Sequence, residues 1–62
     1  KTSIVIQINS KKRSIMEMQF NINEKALMQE IYKDAKCNKY LEDKIIVKTI
    51  FIKDKLINII TD

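Results

Sequence analysis

The sequence predicts an α+β fold in the order β-β-α-β-β, in which two hairpins form a four-stranded sheet and a helical segment packs on one face. Two observations support this prediction. Near both ends of the chain, apolar residues alternate with polar ones, as in strands that are buried on one side. Between these regions they recur every three or four residues, as in a helix with one apolar stripe. With only 62 residues, we expect one domain over 1–62.

The first hairpin is predicted near the start of the chain. Isoleucine occupies alternate positions from Ile4 to Ile8, which is the period of a strand. The polar stretch 9–12 then interrupts the alternation, and it begins with Asn9, a residue type that tolerates a tight turn. A second strand follows, and its apolar side is predicted to consist of Met16, Met18 and Phe20.

A helix is predicted to begin after Asn23, because its side chain can accept a hydrogen bond from a free amide of the first turn. Glu24 then favours the positive end of the helix dipole. Around Asn38 the apolar spacing changes, which predicts either a break or two short helices in sequence. The stripe expected to cover the sheet consists of Leu27, Ile31 and Ala35, with Met28 and Tyr32 beside them.

The second hairpin is predicted over 45–60. β-Branched and aromatic residues are dense in 45–52, a polar connection follows at 53–55, and a last strand covers 56–60. The chain contains no glycine and no proline. Its turns must therefore use Asn, Asp, Ser or Lys, and any left-handed position costs more free energy than it would with glycine.

The composition excludes most catalytic chemistry. Without histidine there is no Ser-His-Asp triad and no histidine metal ligand, and without glycine there is no glycine-rich phosphate loop. Cys37 is the only cysteine, so it can form neither a structural zinc site nor a disulfide within the chain. The adjacent acids Glu42 and Asp43 fit a solvated helix end better than a metal site. We predict no catalytic residue, metal, cofactor or small-molecule substrate in these residues.

The formal net charge of +4 is unevenly distributed. Residues 24–43 contain more acids than lysines, so the positive excess lies in the two predicted hairpins. This pattern favours a polyanionic partner, although ordinary solvated surfaces are also mildly basic. A single cysteine predicts a reducing compartment, the cytoplasm. No signal-peptide pattern is present and no apolar run approaches the roughly 20 residues of a membrane span, so we expect no membrane partner.

The predicted hairpin turns carry the residue types that contact nucleic acids. Lysine and arginine neutralise phosphates, and asparagine forms hydrogen bonds with sugar or backbone groups. The alternative is that these turns are polar simply because they are exposed. The candidate contacts are Asn9, Lys11, Lys12, Arg13, Lys53 and Lys55.

The same segments resemble the C-terminal domain of bacterial-type leucyl-tRNA synthetases. Residues 7–13, Gln-Ile-Asn-Ser-Lys-Lys-Arg, are similar to that family's Q-x-N-G-K-x-R signature, and residues 46–60 are similar to its closing V-x-K-x-I-x-V-P-G-K-L-x-N-(I/L)-V segment. Lys39-Tyr40-Leu41 also matches, so the resemblance covers nearly the whole chain in order. The departures lie in the turns, where Ser10 replaces glycine and Lys53-Asp54 replaces Pro-Gly.

The resemblance implies a domain from a larger enzyme, leucine-tRNA ligase, whose body would supply catalysis and bind ATP and magnesium. This domain would dock the elbow of leucine tRNA, where the D and T loops meet, and orient the tRNA for aminoacylation and editing. Its partners would be leucine tRNA and the body of the parent synthetase. A different hypothesis is a small protein-interaction domain that docks through a sheet edge or through the helix face of Tyr32 and Tyr40.

Overall fold

The computed structural model describes all of residues 1–62 and confirms the α+β class. Its hairpins are antiparallel, whereas the two central strands, β1 and β4, pair in parallel in a four-stranded sheet of order β2-β1-β4-β3. The predicted helical segment is present as two helices. The elements are β1 (Thr2–Ile8), β2 (Lys11–Met18), α1 (Glu24–Lys33), α2 (Ala35–Leu41), β3 (Ile46–Ile52) and β4 (Leu56–Thr61).

The core lies between the helices and one face of the sheet. The alternating isoleucines of β1 point into it as predicted, with Ile4 and Ile6 fully buried. Asn23 caps α1 as predicted, because its side chain accepts a hydrogen bond of 2.8 Å from the backbone amide of Ala26. The buried cluster consists of Ile4, Ile6, Ile8, Leu27, Ile31, Cys37, Leu41, Ile57 and Ile59.

The helical segment breaks at Asp34, not near Asn38. Asp34 has an extended backbone (φ −81°, ψ 112°) that ends α1, and its side chain caps α2 by accepting a hydrogen bond of 3.1 Å from the amide of Lys36. Asn38 lies inside α2. The break rotates the buried stripe, so Ala35, which was predicted to cover the sheet, is exposed. The buried residues of α2 are instead Cys37 and Leu41.

The prediction that β2 continues through Phe20 is wrong. The strand starts at Lys11 and ends at Met18. Asn21 then adopts a left-handed conformation (φ 67°), and its backbone amide donates a hydrogen bond of 2.7 Å to the Asp54 carboxylate. This turn leaves the Phe20 side chain 65% exposed instead of placing it on the apolar side of a strand.

The face of the sheet opposite the core carries an aliphatic row that crosses all the strands. The strand register aligns Ile15 with Val5, Val5 with Leu56, and Leu56 with Ile52. The two outer members are well exposed, Ile15 at 52% and Ile52 at 47%. This aliphatic row is therefore a hydrophobic surface outside the core.

Candidate nucleic-acid interface

The structure places the predicted contacts in two groups at opposite ends of the sheet. Because β1 and β4 are parallel, the β1–β2 turn follows the last residue of β1, whereas the β3–β4 turn precedes the first residue of β4. The register pairs Val5 with Leu56, so the β3–β4 turn ends level with Ile4, and the five residues from Ile4 to Asn9 separate the turns by roughly 17 Å at about 3.3 Å per residue. One end carries Asn9, Lys11, Lys12 and Arg13, and the other carries Lys53 and Lys55.

Both residues of the β1–β2 turn have left-handed backbones. Asn9 has a φ of 53° and Ser10 a φ of 69°, which is the pattern of the two-residue hairpin turn that favours Asn-Gly. Serine at the second position carries a steric cost that glycine would not. Asn58 on β4 offsets this cost, because its Oδ1 accepts a hydrogen bond of 2.9 Å from the Ser10 amide and its Nδ2 donates one of 3.2 Å to the Ser10 hydroxyl.

Asn9, a predicted contact, also ties the turn to β4. Its Nδ2 donates to Thr61 Oγ1 at 3.0 Å and its Oδ1 accepts from the Thr61 amide at 2.9 Å. The Asn9 amide donates in turn to the Ile59 carbonyl at 2.8 Å. The Asn9 side chain thus has a role within the fold, and only its second amide hydrogen and its remaining oxygen lone pair are free for another partner.

The cations after the turn differ in how they are held. Lys11 and Lys12 are exposed, and Arg13 is half-buried. The register pairs Ile6 with Ser14 and Gln7 with Lys12, so Arg13 is the extra residue of a β-bulge. The bulge turns its side chain towards α2, where the guanidinium carbon lies 4.2 Å from the centre of the Tyr40 ring. This distance is well within the range of a cation–π contact.

No carboxylate neutralises the cations at this end. The one ion pair in the chain joins Lys33 to Glu30 on α1, at 3.4 Å. The Nε of Arg13 is buried and has no hydrogen-bond partner. The start of β2, directly after the β1–β2 turn, therefore presents three adjacent, unpaired cations, Lys11, Lys12 and Arg13, and the turn that leads into it is fixed to β4.

The β3–β4 turn combines its lysines with an acid. Asp54 lies between Lys53 and Lys55 and has a left-handed backbone (φ 65°). Its carboxylate accepts the hydrogen bond from the Asn21 amide, and its carbonyl accepts one of 2.9 Å from the hydroxyl of Thr2. Both lysines are exposed. The negative charge of Asp54 makes this end less attractive to phosphate than the β1–β2 turn.

The Cys37 thiol and the acidic side chains are the other groups that could act as a nucleophile or as metal ligands. Burial, together with a hydrogen bond with Asp34, raises the pKa of the Cys37 thiol from 9.0 to about 11. The thiol is therefore protonated and unreactive at neutral pH. No group of three or more acidic, cysteine or histidine side chains is arranged to hold a metal ion. Neither helix is long and apolar enough to cross a membrane.

Sequence reasoning missed the roles of Asn58 and Tyr40. Asn58 is not among the predicted contacts; it is almost fully buried and supports the β1–β2 turn from the central strand β4. From the sequence, Tyr40 has a role only in the alternative hypothesis of protein docking, whereas the structure places its ring against Arg13. Both residues lie in segments that resemble the synthetase motifs, and that was the signal that they matter.

Comparison with known proteins identifies the chain's relatives, although no protein-family model matches it. It is 45% identical over 60 residues to the leucine-tRNA ligase of Buchnera aphidicola, covering 97% of this chain and 7% of that protein. The enzyme of the same name from Lawsonia intracellularis is 42% identical over 59 residues, covering 95% of this chain and 7% of the relative. This domain belongs to the leucyl-tRNA synthetase family. The resemblance carried by the hairpin motifs is confirmed.

The fold of this synthetase domain also recurs in a solved enzyme. In the crystal structure of a ternary complex of a leucyl-tRNA synthetase from Agrobacterium radiobacter with tRNA and LeuAMS, a matching region has a TM-score of 0.89. It covers 98% of this chain and 8% of that chain, at 18% identity, so this likeness concerns the fold. The chain spans about 7% of the length of the leucine-tRNA ligases that it matches and is a small piece of such an enzyme.

Proposed function

We propose that this chain is the C-terminal tRNA-binding module of a leucyl-tRNA synthetase and that it docks the elbow of leucine tRNA. The observation that carries the proposal is the β1–β2 turn, where Lys11, Lys12 and Arg13 stand together without any acidic partner. Such cations neutralise phosphates and release counterions, which supplies most of the affinity for a nucleic acid. The cytoplasm, where tRNA is charged, is the proposed location.

The rigidity of the turn suits recognition of a folded RNA. A tRNA elbow is recognised mainly through its shape, its backbone and its exposed loop bases, so the protein groups need a fixed spacing. The side chains of Asn58 and Asn9 fix that spacing at the β1–β2 turn. Lys53 and Lys55 stand at the other end of the sheet, where they would meet a second stretch of phosphate backbone. The D and T loops of the tRNA meet at the elbow, and each loop would offer a stretch of phosphate backbone to one end of the sheet.

The proposed contribution to the reaction is orientation. By holding the elbow, the domain would help to place the distant acceptor end of the tRNA in the synthetic or editing site, which lowers the entropic cost of the reaction. The resemblance to leucyl-tRNA synthetases implies that ATP, magnesium and leucine bind the body of the parent enzyme. The body of the synthetase and leucine tRNA are thus the two proposed partners.

Filter binding of the parent synthetase to leucine tRNA over a salt series tests this function. Replacing Lys11, Lys12 and Arg13 by glutamine should weaken binding and lower the slope of log affinity against log salt by about 2, since each lost phosphate contact removes about 0.7–0.9. Leucine activation without tRNA should be unchanged. The matched control replaces three cations on the helices, Lys25, Lys33 and Lys36, and should keep the slope. Equal slopes for both triple variants would refute the proposed surface.

The aliphatic row favours a second candidate, docking of another protein. Ile15 and Ile52 are about half-exposed on a face without aromatic residues for base stacking, and exposed apolar patches often mark protein contacts. This candidate predicts an association of the domain that does not depend on salt or RNA. Replacing Ile15 and Ile52 by serine should abolish such an association and leave tRNA affinity unchanged. Loss of tRNA affinity in that variant would instead assign the row to the RNA surface.

A further inference from the structure

Arg13 is held in a different way from the two lysines that precede it. Lys11 and Lys12 extend into solvent on flexible stems, whereas the Arg13 guanidinium rests 4.2 Å from the centre of the Tyr40 ring. Nothing in the function proposed above explains why one cation of the turn is fixed in this manner. The fixed position depends on two separate features of the backbone.

The first feature is the β-bulge in β2. Without it, Arg13 would be an ordinary strand residue with a partner on β1. With it, Gln7 pairs with Lys12 and Ile6 with Ser14, so Arg13 has no partner in the register. A bulge of this kind redirects a side chain at the edge of a sheet.

The second feature is the break between the helices. Asp34 ends α1 and starts α2 in a new direction, and the new helix is anchored by the buried side chains of Cys37 and Leu41, four residues apart on one face. Tyr40 precedes Leu41 and therefore lies at the margin of that buried face, where it is 39% exposed. α2 thus brings an aromatic ring to the surface beside the bulge.

The Arg13 guanidinium has donors that nothing in the chain satisfies. Its Nε is buried without a hydrogen-bond partner and is therefore out of reach of a phosphate, but no acidic residue forms an ion pair with the two terminal nitrogens, Nη1 and Nη2. The terminal nitrogens of a guanidinium carry four of its five N–H donors in a planar fork, which matches the oxygens of a phosphate in pairs. Stacking on an aromatic face fixes the plane of that fork without using its donors.

We propose that Tyr40 is a positioning residue that holds the Arg13 guanidinium as a preformed fork for one backbone phosphate of the bound tRNA. The inference rests on the proposed function, and it assigns different roles in RNA binding to the two lysines and to Arg13. Lys11 and Lys12 supply charge that any phosphate can use, whereas Arg13 supplies a directed contact. The Lys39-Tyr40-Leu41 segment thereby gains a role in RNA binding although it lies on a helix and not in a turn.

A double-mutant cycle in the parent synthetase tests the proposal, with leucine tRNA affinity measured over a salt series. Arg13→Met should weaken binding about 10-fold and lower the salt slope by about 1, since it removes one charge-assisted phosphate contact. Tyr40→Leu should weaken binding about 3- to 5-fold, the range of a partly exposed cation–π contact. In the Arg13→Met background, Tyr40→Leu should have no further effect.

Two conservative variants separate positioning from a merely structural role. Tyr40→Phe keeps the aromatic face and should bind within about 2-fold of the unmodified enzyme. Arg13→Lys keeps the charge and loses the fork, so it should keep the salt slope but weaken binding by about as much as Tyr40→Leu. Hydrogen exchange of the β1 and β4 amides reports whether a variant is folded. If Tyr40→Leu unfolds, the tRNA affinities of Tyr40→Phe and Arg13→Lys test the positioning role instead.

Additive effects of the Arg13 and Tyr40 substitutions would overturn the proposal, as would an Arg13→Lys variant that binds normally. The proposed function fails in a different way. If deletion of residues 1–62 from the parent leaves tRNA affinity unchanged, the domain does not bind tRNA and both ideas fall. If deletion weakens binding but the cycle is additive, only the positioning role of Tyr40 is refuted.

Discussion

The β1–β2 turn and the β3–β4 turn both contain left-handed backbone conformations, but different chemical groups stabilise them. Each contains a left-handed residue where glycine would be easiest, and each is fixed by hydrogen bonds from another segment. At the β1–β2 turn the supporting groups are the neutral amides of Asn9 and Asn58. At the β3–β4 turn the supporting group is the carboxylate of Asp54, which lies between two lysines.

This difference teaches that the number of lysines does not set the electrostatic character of a turn. The asparagine amides that support the β1–β2 turn are neutral, so Lys11, Lys12 and Arg13 have no acidic neighbour. The Asp54 carboxylate that supports the β3–β4 turn places a negative charge between Lys53 and Lys55. The β1–β2 turn also receives a second layer of support from α2 through Tyr40. We therefore expect the first turn to dominate RNA binding and to be the more sensitive of the two to loss of its supporting residues.

The largest expected effect is on the stability of the β1–β2 turn. Asn58→Leu removes both hydrogen bonds to Ser10 and leaves the Ser10 amide without its partner, which should lower the free energy of unfolding by about 2–3 kcal/mol. The control at the other turn is Thr2→Val, which removes one hydrogen bond to the Asp54 carbonyl and should cost about 1 kcal/mol. Urea unfolding of the two variants measures both values, and equal losses would contradict the difference between the turns.

A smaller effect is expected when two lysines at each turn are compared in RNA binding. In the parent synthetase, Lys11→Gln with Lys12→Gln should weaken tRNA binding about 10-fold at physiological salt. Lys53→Gln with Lys55→Gln should weaken it only about 3-fold, because Asp54 already offsets part of their charge. Filter binding provides the measurement. A greater loss from the Lys53 and Lys55 pair would reverse the assignment of the main surface.

Replacement of the left-handed residues by glycine should stabilise the chain at the β1–β2 turn but not at the β3–β4 turn. Ser10→Gly relieves a steric cost of about 1–2 kcal/mol and keeps the bond from its amide to Asn58, but it loses the longer bond from Asn58 Nδ2 to the Ser10 hydroxyl, so it should stabilise the chain by about 0.5–1 kcal/mol. Asp54→Gly relieves the same cost but removes the acceptor of the Asn21 amide, so it should give no net gain. Thermal unfolding of both variants tests the contrast, which would fail if the glycines stabilised the two turns equally.

The last effect concerns Cys37, which lies on α2, and it is absent at neutral pH and develops only above about pH 9. Its pKa is raised from 9.0 to about 11 by burial in the folded chain. Between pH 9 and 11 the unfolded chain therefore loses the thiol proton while the folded chain keeps it, and stability should fall as the pH rises. Cys37→Ala should lack this part of the decline. Unfolding curves over that pH range measure the difference, and identical pH dependence of the two chains would contradict the burial of the thiol.

The strands and the first helix could be predicted because their signals are local. Alternate isoleucines from Ile4 to Ile8 show the buried side of β1, and Asn23 shows where α1 begins. The break at Asp34 was displaced by four residues in the prediction, because a change in apolar spacing becomes visible only after the new helix has started. The position of Phe20 was predicted wrongly because β2 ends where the backbone amide of Asn21 donates a hydrogen bond to the carboxylate of Asp54, which lies far along the chain.

The candidate site could be predicted only as a list of charges. Its geometry depends on the parallel pairing of β1 with β4, which separates the two turns, and on the bulge at Arg13, which no sequence pattern reveals. The partners of Ser10 and Arg13, namely Asn58 and Tyr40, lie on other elements. Local sequence patterns therefore identify the cationic residues. Only the tertiary structure shows that Arg13 is held by Tyr40 whereas Lys11 and Lys12 are exposed.

The affinity of the parent synthetase for leucine tRNA, measured over a salt series with and without residues 1–62, tests tRNA binding by this domain most directly. Removal of the domain should weaken binding and flatten the dependence on salt, because the phosphate contacts of the β1–β2 turn are lost. Leucine activation without tRNA should not change. An unchanged affinity with an unchanged salt slope would contradict tRNA binding by this domain and leave protein docking through the aliphatic row as its function.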